Sequence, residues 1–562
     1  MTRVSARLLS IIALVSGLIV CVVAVFSDAL GLDANPGWGR ARIAILTIGI
    51  LVTSIAAVFV LYGNAAMDAL QRLRLRIAQL RIVRRMNEDG ALTRVAQTLQ
   101  RDLPDAALVL LGLAFYLWFA SAGRWDRIPS STTHYQLLAS GFERGRLSLP
   151  IDRSNWSDLP RDLSRFEDKY YMYWGPAPAL IVVALRSFTN ARIADAHLAF
   201  GFVCGTFLMQ CLLLRVIWHR HFQQLPAWTL QAMILFVGVA GPPLFLRHNH
   251  ETAKIYEAAI NAGQFFLMAG VLALAHGLSG RGGKPSHFAL AGALWAFAFA
   301  SRLTLAVPIA FGLVVIVLWS AHAFPSWRQR LLRLVSLGLP LALSVAMLGW
   351  YNWARFGSVT ETGFSYQLAP ILRRNEYREL WDVRYVLPNI YNYVLQPPLL
   401  APSFPFVQLA RGYEPPAKSI LHVPEFYNAQ PITGLVWFVP FAVFAIPAAA
   451  AALRMIAPRR STDGQGSDAP LTLTWTSLVL GVITLGSFAF NMTYFWAGMR
   501  FAEDFLPSLS TLAAVGFWGG FRERASQPTL RRTSTVVAVG LLALSLAGSV
   551  LLSLSTNSGL LR

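Results

Sequence analysis

The sequence is poor in charged residues, and poorest in acidic ones. Of its 562 residues 14% are charged, with 28 aspartates and glutamates against 48 lysines and arginines. A soluble globular chain carries about 25% charged residues, because these cover its surface. The shortage of charge excludes an ordinary soluble enzyme, and the 55% hydrophobic fraction points to a protein that lies within a membrane.

Cysteine is scarce as well. The chain has three, Cys21, Cys204 and Cys211, and each lies inside an apolar run. Their spacing matches neither a disulfide framework nor a cysteine-ligated metal site. A small secreted domain held together by disulfides is therefore excluded.

Long apolar runs are abundant instead. Roughly 20 apolar residues cross the hydrocarbon core as a helix, and a helix satisfies its backbone hydrogen bonds internally, as lipid requires. Barrel strands would alternate in polarity, and these runs do not. We therefore predict an all-α, polytopic transmembrane helical bundle with about 13 or 14 spans. The candidate runs are 8–27, 42–62, 104–121, 173–189, 195–216, 227–246, 257–277, 286–300, 303–320, 332–350, 433–453, 471–490, 504–519 and 535–554.

The loops between the runs differ in charge. Loops 122–172 and 351–432 are long and nearly neutral, whereas the short loops are mainly basic and contribute to the net charge of +20. The positive-inside rule places the basic loops in the cytoplasm and the two long loops outside. Because the basic residues are spread over short loops, we expect lipid headgroups, and not nucleic acid, as the anionic partner.

The number of runs between the long loops is odd, although two outer loops require an even number. The shortest of these runs are 173–189 and 286–300, so one of them is predicted to be broken, re-entrant or non-spanning. The arginine-rich segment 63–103 fits a basic amphipathic helix on the inner leaflet and a solvated connector equally well. The chain is predicted to divide into an N-terminal region of residues 1–103, a core of residues 104–520 and a C-terminal span of residues 521–562.

The end of the first long loop concentrates aromatic side chains beside acids. Tyr171, Tyr173 and Trp174 precede the turn Gly175–Pro178 at the mouth of an apolar run, and Asp162 lies upstream in the same loop. An interfacial aromatic belt explains the rings alone. The rigid turn and the neighbouring acids favour a cavity that handles a polar group at the membrane surface.

A second candidate region surrounds Glu257, which opens an apolar run directly after Tyr256. An acid at that depth is costly and is by default a functional residue. An ion pair with Arg247 or Arg302 is the alternative. No metal cofactor is predicted, and the weak candidates for metal ligands in this region are His248, His250 and Glu251.

Several arginines flank apolar runs on the outer side. The planar guanidinium group matches phosphate with two parallel hydrogen bonds, so Arg247, Arg302 and Arg500, the last close to Asp504, are candidates for binding a lipid phosphate. Snorkelling or a structural ion pair is the alternative for each. The second long loop adds polar and aromatic candidates for contacts with a sugar, namely Asn352, Arg355 and Glu361.

Five short motifs follow one another along residues 104–520: Trp174-Gly-Pro-Ala-Pro178, Tyr256-Glu-Ala258, Ser301-Arg302, Asn352-Trp-Ala-Arg-Phe-Gly357 and Arg500-Phe-Ala-Glu-Asp-Phe-Leu-Pro507. In this order they resemble bacterial polytopic proteins of the GT-C glycosyltransferase type. That type includes the dolichyl-phosphate-mannose-protein mannosyltransferase-like and aminoarabinose-transferase-like groups.

The resemblance implies a lipid-phosphate-sugar donor, an acceptor outside the cytoplasmic membrane, and an acidic base in the first outer loop. Asp126 follows the first span of the core and is the first candidate base, ahead of Asp162 and Glu257. Proteins of this type commonly carry an Asp or an Asp/Glu pair there. Here Asp126 is a single acid, and His134 stands further along.

We therefore expect a glycosyltransferase of the bacterial inner membrane that uses a polyprenyl-phosphate-linked sugar. It would transfer a hexosyl or pentosyl group to a glycan, lipid or protein of the cell envelope on the periplasmic side. A transporter or flippase of lipid-linked saccharide is one alternative, although transporters often show matched halves and this chain shows no repeat. An inactive scaffold of the same fold is the other.

The charge of the loops generates a prediction about topology. Loops 122–172 and 351–432 should face the periplasm, while 63–103, 454–470 and 520–534 should face the cytoplasm. In a cysteine-free background, a cysteine at Ser157 should react with a membrane-impermeant maleimide on intact spheroplasts. A cysteine at Ser461 should react only after the spheroplasts are lysed. Labelling of both positions from the same side would contradict the assignment.

Overall fold

The computed structural model describes most of the chain beyond residue 90. Apart from Val20 and Ile45, the predicted spans 8–27 and 42–62 lie outside the described residues, as does most of segment 63–103. For residues 91–101, 456 and 468–471 the backbone alone is described. The described residues are Val20, Ile45, 91–129, 132–151, 163–188, 192–246, 255–278, 283–368, 379–416, 423–456 and 468–557.

The chain forms two compact units. One comprises Met1–Leu110, Leu400–Gln408 and Ser558–Arg562, and its described residues are the beginning of a long helix together with a short extended segment. The other comprises Leu111–Leu399 and Leu409–Asn557 and contains the candidate site.

Helices dominate the described residues, and strands are short. The strands are β1 (Ser164–Phe166), β2 (Lys169–Tyr171), β3 (Leu399–Leu400), β4 (Val407–Gln408), β5 (Asn428–Ala429) and β6 (Trp496–Ala497); β1 and β2 form an antiparallel hairpin in the first long loop, and β5 pairs in parallel with β6. The helices are α1 (Ala91–Ala120), α2 (His134–Glu143), α3 (Ala177–Arg186), α4 (Asp195–His221), α5 (Trp228–Val239), α6 (Pro242–Phe245), α7 (Ile255–Gly277), α8 (Pro285–Ser301), α9 (Ala306–Ala323), α10 (Trp327–Phe356), α11 (Val386–Ile390), α12 (Leu435–Phe438), α13 (Ala445–Ile456), α14 (Asp468–Met492), α15 (Leu506–Glu523) and α16 (Pro528–Ser555).

Within the described residues, eight helical segments are long and apolar enough to cross a bilayer, and they confirm the predicted polytopic helical bundle. The predicted run 433–453 was wrong as one continuous helix, because it divides into α12, a 3-10 turn and α13. The eight segments are Asp102–Ala120, Asp195–His221, Trp228–Phe245, Ile255–Gly277, Leu303–Ala323, Trp327–Phe356, Thr472–Met492 and Pro528–Ser555.

The predicted run 173–189 contains α3, a helix of ten residues. At 1.5 Å per residue α3 is about 15 Å long, half of the hydrocarbon core. Pro176 at the N-cap and Pro178 in the first turn suit the start of a helix, where no backbone donor is needed. With α3 non-spanning, the five long segments between the loops and α8, which has 17 residues, make six crossings, and this satisfies the requirement for an even number.

The helix termini fall into two groups at opposite ends of the bundle, here called the loop end and the basic end. At the loop end, which carries the two long loops, α3, α4, α7 and α15 begin and α8, α10 and α14 end. At the basic end, α4, α7, α13 and α15 end. Arg220 joins two of these termini, because its Nη1 donates to the carbonyl of Ala275 at 2.8 Å. The candidate residues with described positions lie at the loop end.

Close helix contacts at small residues hold the bundle together. A Cβ added at Gly270 of α7 would lie 2.4 Å from the ring of Trp295 on α8, which is fully buried. A Cβ at Gly292 of α8 would lie 2.2 Å from the carbonyl oxygen of Leu337 on α10. Lipid is as apolar as the side chains, so such close packing supplies much of the association energy.

Another of these close contacts orients α3. A Cβ added at Gly175 would lie 2.0 Å from the carbonyl oxygen of Ala300, near the end of α8. A backbone atom cannot move aside as a flexible side chain can. Gly175 therefore lets the turn before α3 lie directly against the end of α8.

We predict that Gly175→Ala lowers the stability of the purified protein by about 2 kcal/mol, because overpacking against backbone forces the turn away from α8. Thermal unfolding in detergent measures the change. Gly338→Ala on α10 is the matched control, since no atom lies within 4 Å of its added Cβ. Equal unfolding temperatures for the two variants would contradict the packing argument.

Candidate active site

Three buried carboxylates lie at the loop end of the bundle. Glu257 begins α7, while Glu503 and Asp504 end the 3-10 segment Met499–Asp504, and each residue is 2 to 3% exposed. Burial raises the pKa of the Glu503 carboxyl well above its usual value, and the neighbouring charges of Asp504 and Glu257 raise it further. Glu257 and Asp504 were predicted from the sequence, whereas Glu503 was not, because nothing in the sequence distinguishes a buried Glu503 from an exposed one.

Arg302 pairs with one of these acids. Its Nη2 donates to Oδ2 of Asp504 at 2.7 Å, and both side chains are largely buried. Burial raises the pKa of the Asp504 carboxyl, while Arg302 acts in the opposite direction. Arg302 occupies the break between α8 and the next helix, where the backbone is extended. A break within an apolar stretch thus places a cation at the acidic cluster.

Amide side chains hold the segment Met499–Asp504 from two further helices. Gln264 of α7 donates from Nε2 to the carbonyl of Asp504 at 3.1 Å. Asn491 of α14 donates from Nδ2 to the carbonyl of Phe501 at 2.9 Å. Both amides are buried, so the backbone of the segment is fixed by side chains that have no access to water.

Glu257 differs from Asp504 because its carboxylate has no hydrogen-bond partner among the described residues, although both oxygens are buried. The amide of Asn261, one turn further along α7, is likewise buried with no partner among those residues. Buried polar groups are nearly always hydrogen-bonded, so unpaired ones mark a place for a polar ligand. The first turn of a helix also favours negative charge.

Arg500 joins this cluster to the aromatic motif of the first long loop. Its guanidinium carbon lies 4.3 Å from the ring centre of Tyr256, and no carboxylate in the described ranges of the chain forms an ion pair with it. The Tyr256 hydroxyl lies 3.2 Å from that of Tyr173. Trp174 stacks on Tyr173 at 3.9 Å and meets Tyr256 edge to face at 5.0 Å. Four predicted site residues are therefore brought together.

Asn352 and Arg355 form a separate cluster that connects the end of α10 to the first long loop. Arg355 donates to the carbonyl of Met172 at 2.7 Å and to Oδ1 of Asn352 at 2.8 Å, and its guanidinium lies 3.7 Å from the ring centre of Tyr351. These contacts anchor one loop to the other. The role of Asn352 and Arg355 in substrate binding stays a prediction.

The remaining candidates lie apart from the carboxylate cluster or outside the described residues. Tyr171 packs against Phe356 at 5.1 Å, and Glu361 accepts hydrogen bonds from its own turn at Gly363 and Ser365. Asp126 is exposed on the turn that follows α1. Asp162, Arg247, His248, His250 and Glu251 fall outside the described residues.

A buried histidine–aspartate pair was not predicted. Asp195 accepts hydrogen bonds from the backbone amides of His134 and Tyr135 at 3.0 Å, and it lies 3.2 Å from Nδ1 of His134. It thereby caps the start of α2 from a distant helix. A separation of 61 residues gives the sequence no local signal for this contact. Across the described ranges, no group of three or more His, Cys, Asp or Glu side chains could hold a metal ion.

An apolar cavity of about 450 Å³ opens beside the site. It lies between α3, α8 and α10, and its upper wall includes Pro176, Ala300 and Tyr351. Ala300 is separated from Arg302 by a single residue, so the cavity ends close to the arginine that pairs with Asp504. Its deeper walls are formed by Ala293, Ala296, Phe297, Leu343, Met347 and Leu348.

No family model matches the sequence, and no curated protein matches it. The structure is similar to the crystal structure of an oligosaccharyltransferase from the archaeon Archaeoglobus fulgidus in the apo form, with 12% identity and a TM-score of 0.39. It is also similar to the oligosaccharyltransferase AglB of that organism in complex with an inhibitory peptide and a dolichol-phosphate, with 11% identity and a TM-score of 0.40. Each match covers 80% of this chain and 56% of the other, so the chain spans about half the length of these structures.

The buried acid Glu503 generates a prediction about pH. Its pKa is raised in the folded protein, so folding binds a proton and stability falls as the pH rises from the ordinary glutamate value through the raised one. Glu503→Gln removes this loss. We expect its unfolding temperature to exceed that of the wild type by about 2 °C or more at pH 8, with a smaller difference at pH 5.

Glu167→Gln is the control for this measurement, because Glu167 is exposed on the hairpin turn between β1 and β2. Its unfolding temperature should follow that of the wild type at both pH values. A Glu503→Gln protein that is less stable than the wild type at pH 8 would show that the Glu503 carboxylate is ionised and needed for folding.

Proposed function

We propose that the protein is a membrane glycosyltransferase that moves a sugar from a polyprenyl-phosphate-linked donor to a cell-envelope acceptor on the periplasmic side of the bacterial inner membrane. The observation that carries the proposal is the meeting of buried carboxylates with two guanidinium groups at one end of the bundle, beside an apolar cavity. The carboxylates can deprotonate an acceptor hydroxyl, the guanidinium groups can bind an anionic leaving group, and the cavity can hold a long hydrocarbon chain.

Arg500 is proposed to hold the donor phosphate. Its guanidinium lies on Tyr256, and without an ion pair among the described residues its charge is available to a ligand. As the bond between sugar and phosphate breaks, negative charge grows on the phosphate oxygens, and a fixed cation stabilises that charge. Arg302 is already paired with Asp504, so it is proposed to position the segment Met499–Asp504 and not to bind the phosphate directly.

Glu257 is proposed as the base that takes the proton from the acceptor hydroxyl. Its two oxygens are buried without a partner among the described residues, whereas Asp504 is held by Arg302. A carboxylate within hydrogen-bond reach of the acceptor hydroxyl can take its proton as the bond to the sugar forms. Asp126 and Asp162 stay candidate bases from the sequence, and the exposed position of Asp126 suits contact with an acceptor from outside.

The sugar and the hydrocarbon chain have matching surfaces on either side of the arginines. The stacked rings of Tyr173 and Trp174 offer apolar faces against which a sugar ring can pack. The cavity between α3, α8 and α10 offers hydrocarbon walls to the polyprenyl chain. A donor with its phosphate at Arg500 would then have its sugar at the rings and its hydrocarbon chain in the cavity.

Deletion of the gene, followed by mass spectrometry of envelope glycans and lipid-linked sugars, tests the proposal. The deletion strain should lose one sugar from an envelope product and accumulate its lipid-linked donor. Complementation with Glu257→Gln should reduce transfer by about 100-fold at equal protein level, because the base is removed while the size of the side chain is kept. Arg500→Lys should reduce it about tenfold, since lysine keeps the charge but lacks the planar fork.

Asp126→Asn separates the two leading candidates for the base. Near wild-type transfer with Asp126→Asn, together with loss in Glu257→Gln, supports Glu257, and the reverse result assigns the base to Asp126. An unchanged glycan and lipid profile in the deletion strain would overturn the transferase. If lipid-linked sugar accumulated on the cytoplasmic face alone, a flippase would be the better assignment.

A further inference from the structure

A second cavity lies at the basic end, far along the helices from the carboxylates. Its volume is about 560 Å³, and it lies between α13, α14, α15 and the end of α4. Four arginines line it, namely Arg220, Arg454, Arg522 and Arg524, and Glu523 is the acid among its lining residues. The candidate active site uses none of these residues, so the cavity needs a separate explanation.

The four arginines keep their charge available. Arg220 and Arg522 donate to the backbone carbonyls of Ala275 and His221, and Arg524 donates to that of Gly520. These contacts orient the guanidinium groups without neutralising them. Over the ranges that the structure describes, none of the four forms an ion pair with a carboxylate. An uncompensated cluster of guanidinium groups is a binding site for phosphate.

Below the arginines the walls are mainly apolar. Most of the wall is formed by the alanine-rich face of α13 and by Phe444 and Val515, and α14 adds the hydroxyl groups of Thr474 and Ser477. A Cβ added at Gly519 of α15 would meet no atom within 4 Å. A free nucleotide or sugar phosphate gains little from hydrocarbon walls. A phospholipid, with a phosphate above and acyl chains below, fits both the arginine rim and the apolar walls.

The position of the cavity at the basic end agrees with a lipid in the inner leaflet. The basic end carries the arginine-rich short loops, and the positive-inside rule assigns this end to the cytoplasmic surface. Anionic lipids attract arginines at that surface, and each basic residue contributes to the attraction. The four arginines favour a headgroup without an ammonium group, because they would repel that positive charge.

We propose that this cavity is a binding site for an anionic phospholipid of the inner leaflet, separate from the donor site at the loop end. The lipid phosphate lies among Arg220, Arg454, Arg522 and Arg524, and an acyl chain lies along α13. This proposal does not depend on the transfer reaction, because it uses none of the residues assigned to that reaction.

Binding to delipidated protein in detergent tests the site. Short-chain phosphatidylglycerol and phosphatidylcholine are titrated while the unfolding temperature is followed, and glycerol phosphate serves as the soluble anion. We expect phosphatidylglycerol to bind about tenfold or more tightly than phosphatidylcholine or glycerol phosphate, and its binding to weaken with salt. Equal binding of the two lipids, equal binding of glycerol phosphate, or binding that salt does not change would overturn the proposal.

Two double variants locate the binding. Arg454→Ala with Arg522→Ala should weaken binding of phosphatidylglycerol by about tenfold. Arg328→Ala with Arg532→Ala removes the same charge from exposed positions at the basic end outside the cavity, and it should leave the affinity unchanged. An equal loss in both double variants would show general attraction to the surface and overturn the site. If the first variant fails to fold, Arg454→Lys with Arg522→Lys replaces it and should still prefer phosphatidylglycerol, by a smaller factor.

Discussion

The ion pair between Arg302 and Asp504 is the contact on which the loop end depends. It joins the break after α8 to the segment that precedes α15, two places separated by 202 residues. Gln264 and Asn491 fix the same segment from α7 and α14. Loss of one partner from a buried pair leaves an uncompensated charge, which costs about 3 to 5 kcal/mol. Four helices therefore share one electrostatic constraint.

The constraint also sets the protonation of the site. Burial and the neighbouring acids raise the pKa of the Glu503 carboxyl, while Arg302 compensates the charge of Asp504. Arg500 lies on an aromatic ring and is compensated by no described acid. This division of charge gives the site one paired cation and one available cation, which a phosphate-bearing substrate can use.

The two ends of the bundle meet different demands. At the loop end, acids and arginines are mixed and connected by amides, while at the basic end the arginines lie over an alanine-lined cavity without ion pairs among the described residues. Close contacts such as that of Gly175 with Ala300 fix the helices between them. The same helices thus connect a buried polar site to a cavity suited to a lipid.

The sequence by itself determined the class of structure. Apolar runs of bilayer length dictate helices, because lipid offers no other partner to the backbone, and the run at 173–189 was already suspect because it is short. It also singled out Glu257, Arg302, Arg500 and Asp504, since charge beside an apolar run is costly wherever it occurs. The tertiary structure alone decided which of these residues meet. Glu503 lies with these residues, whereas Asn352 and Arg355 form a separate cluster. Contacts across 60 to 300 residues depend on how the helices pack, and they leave no local pattern in the chain.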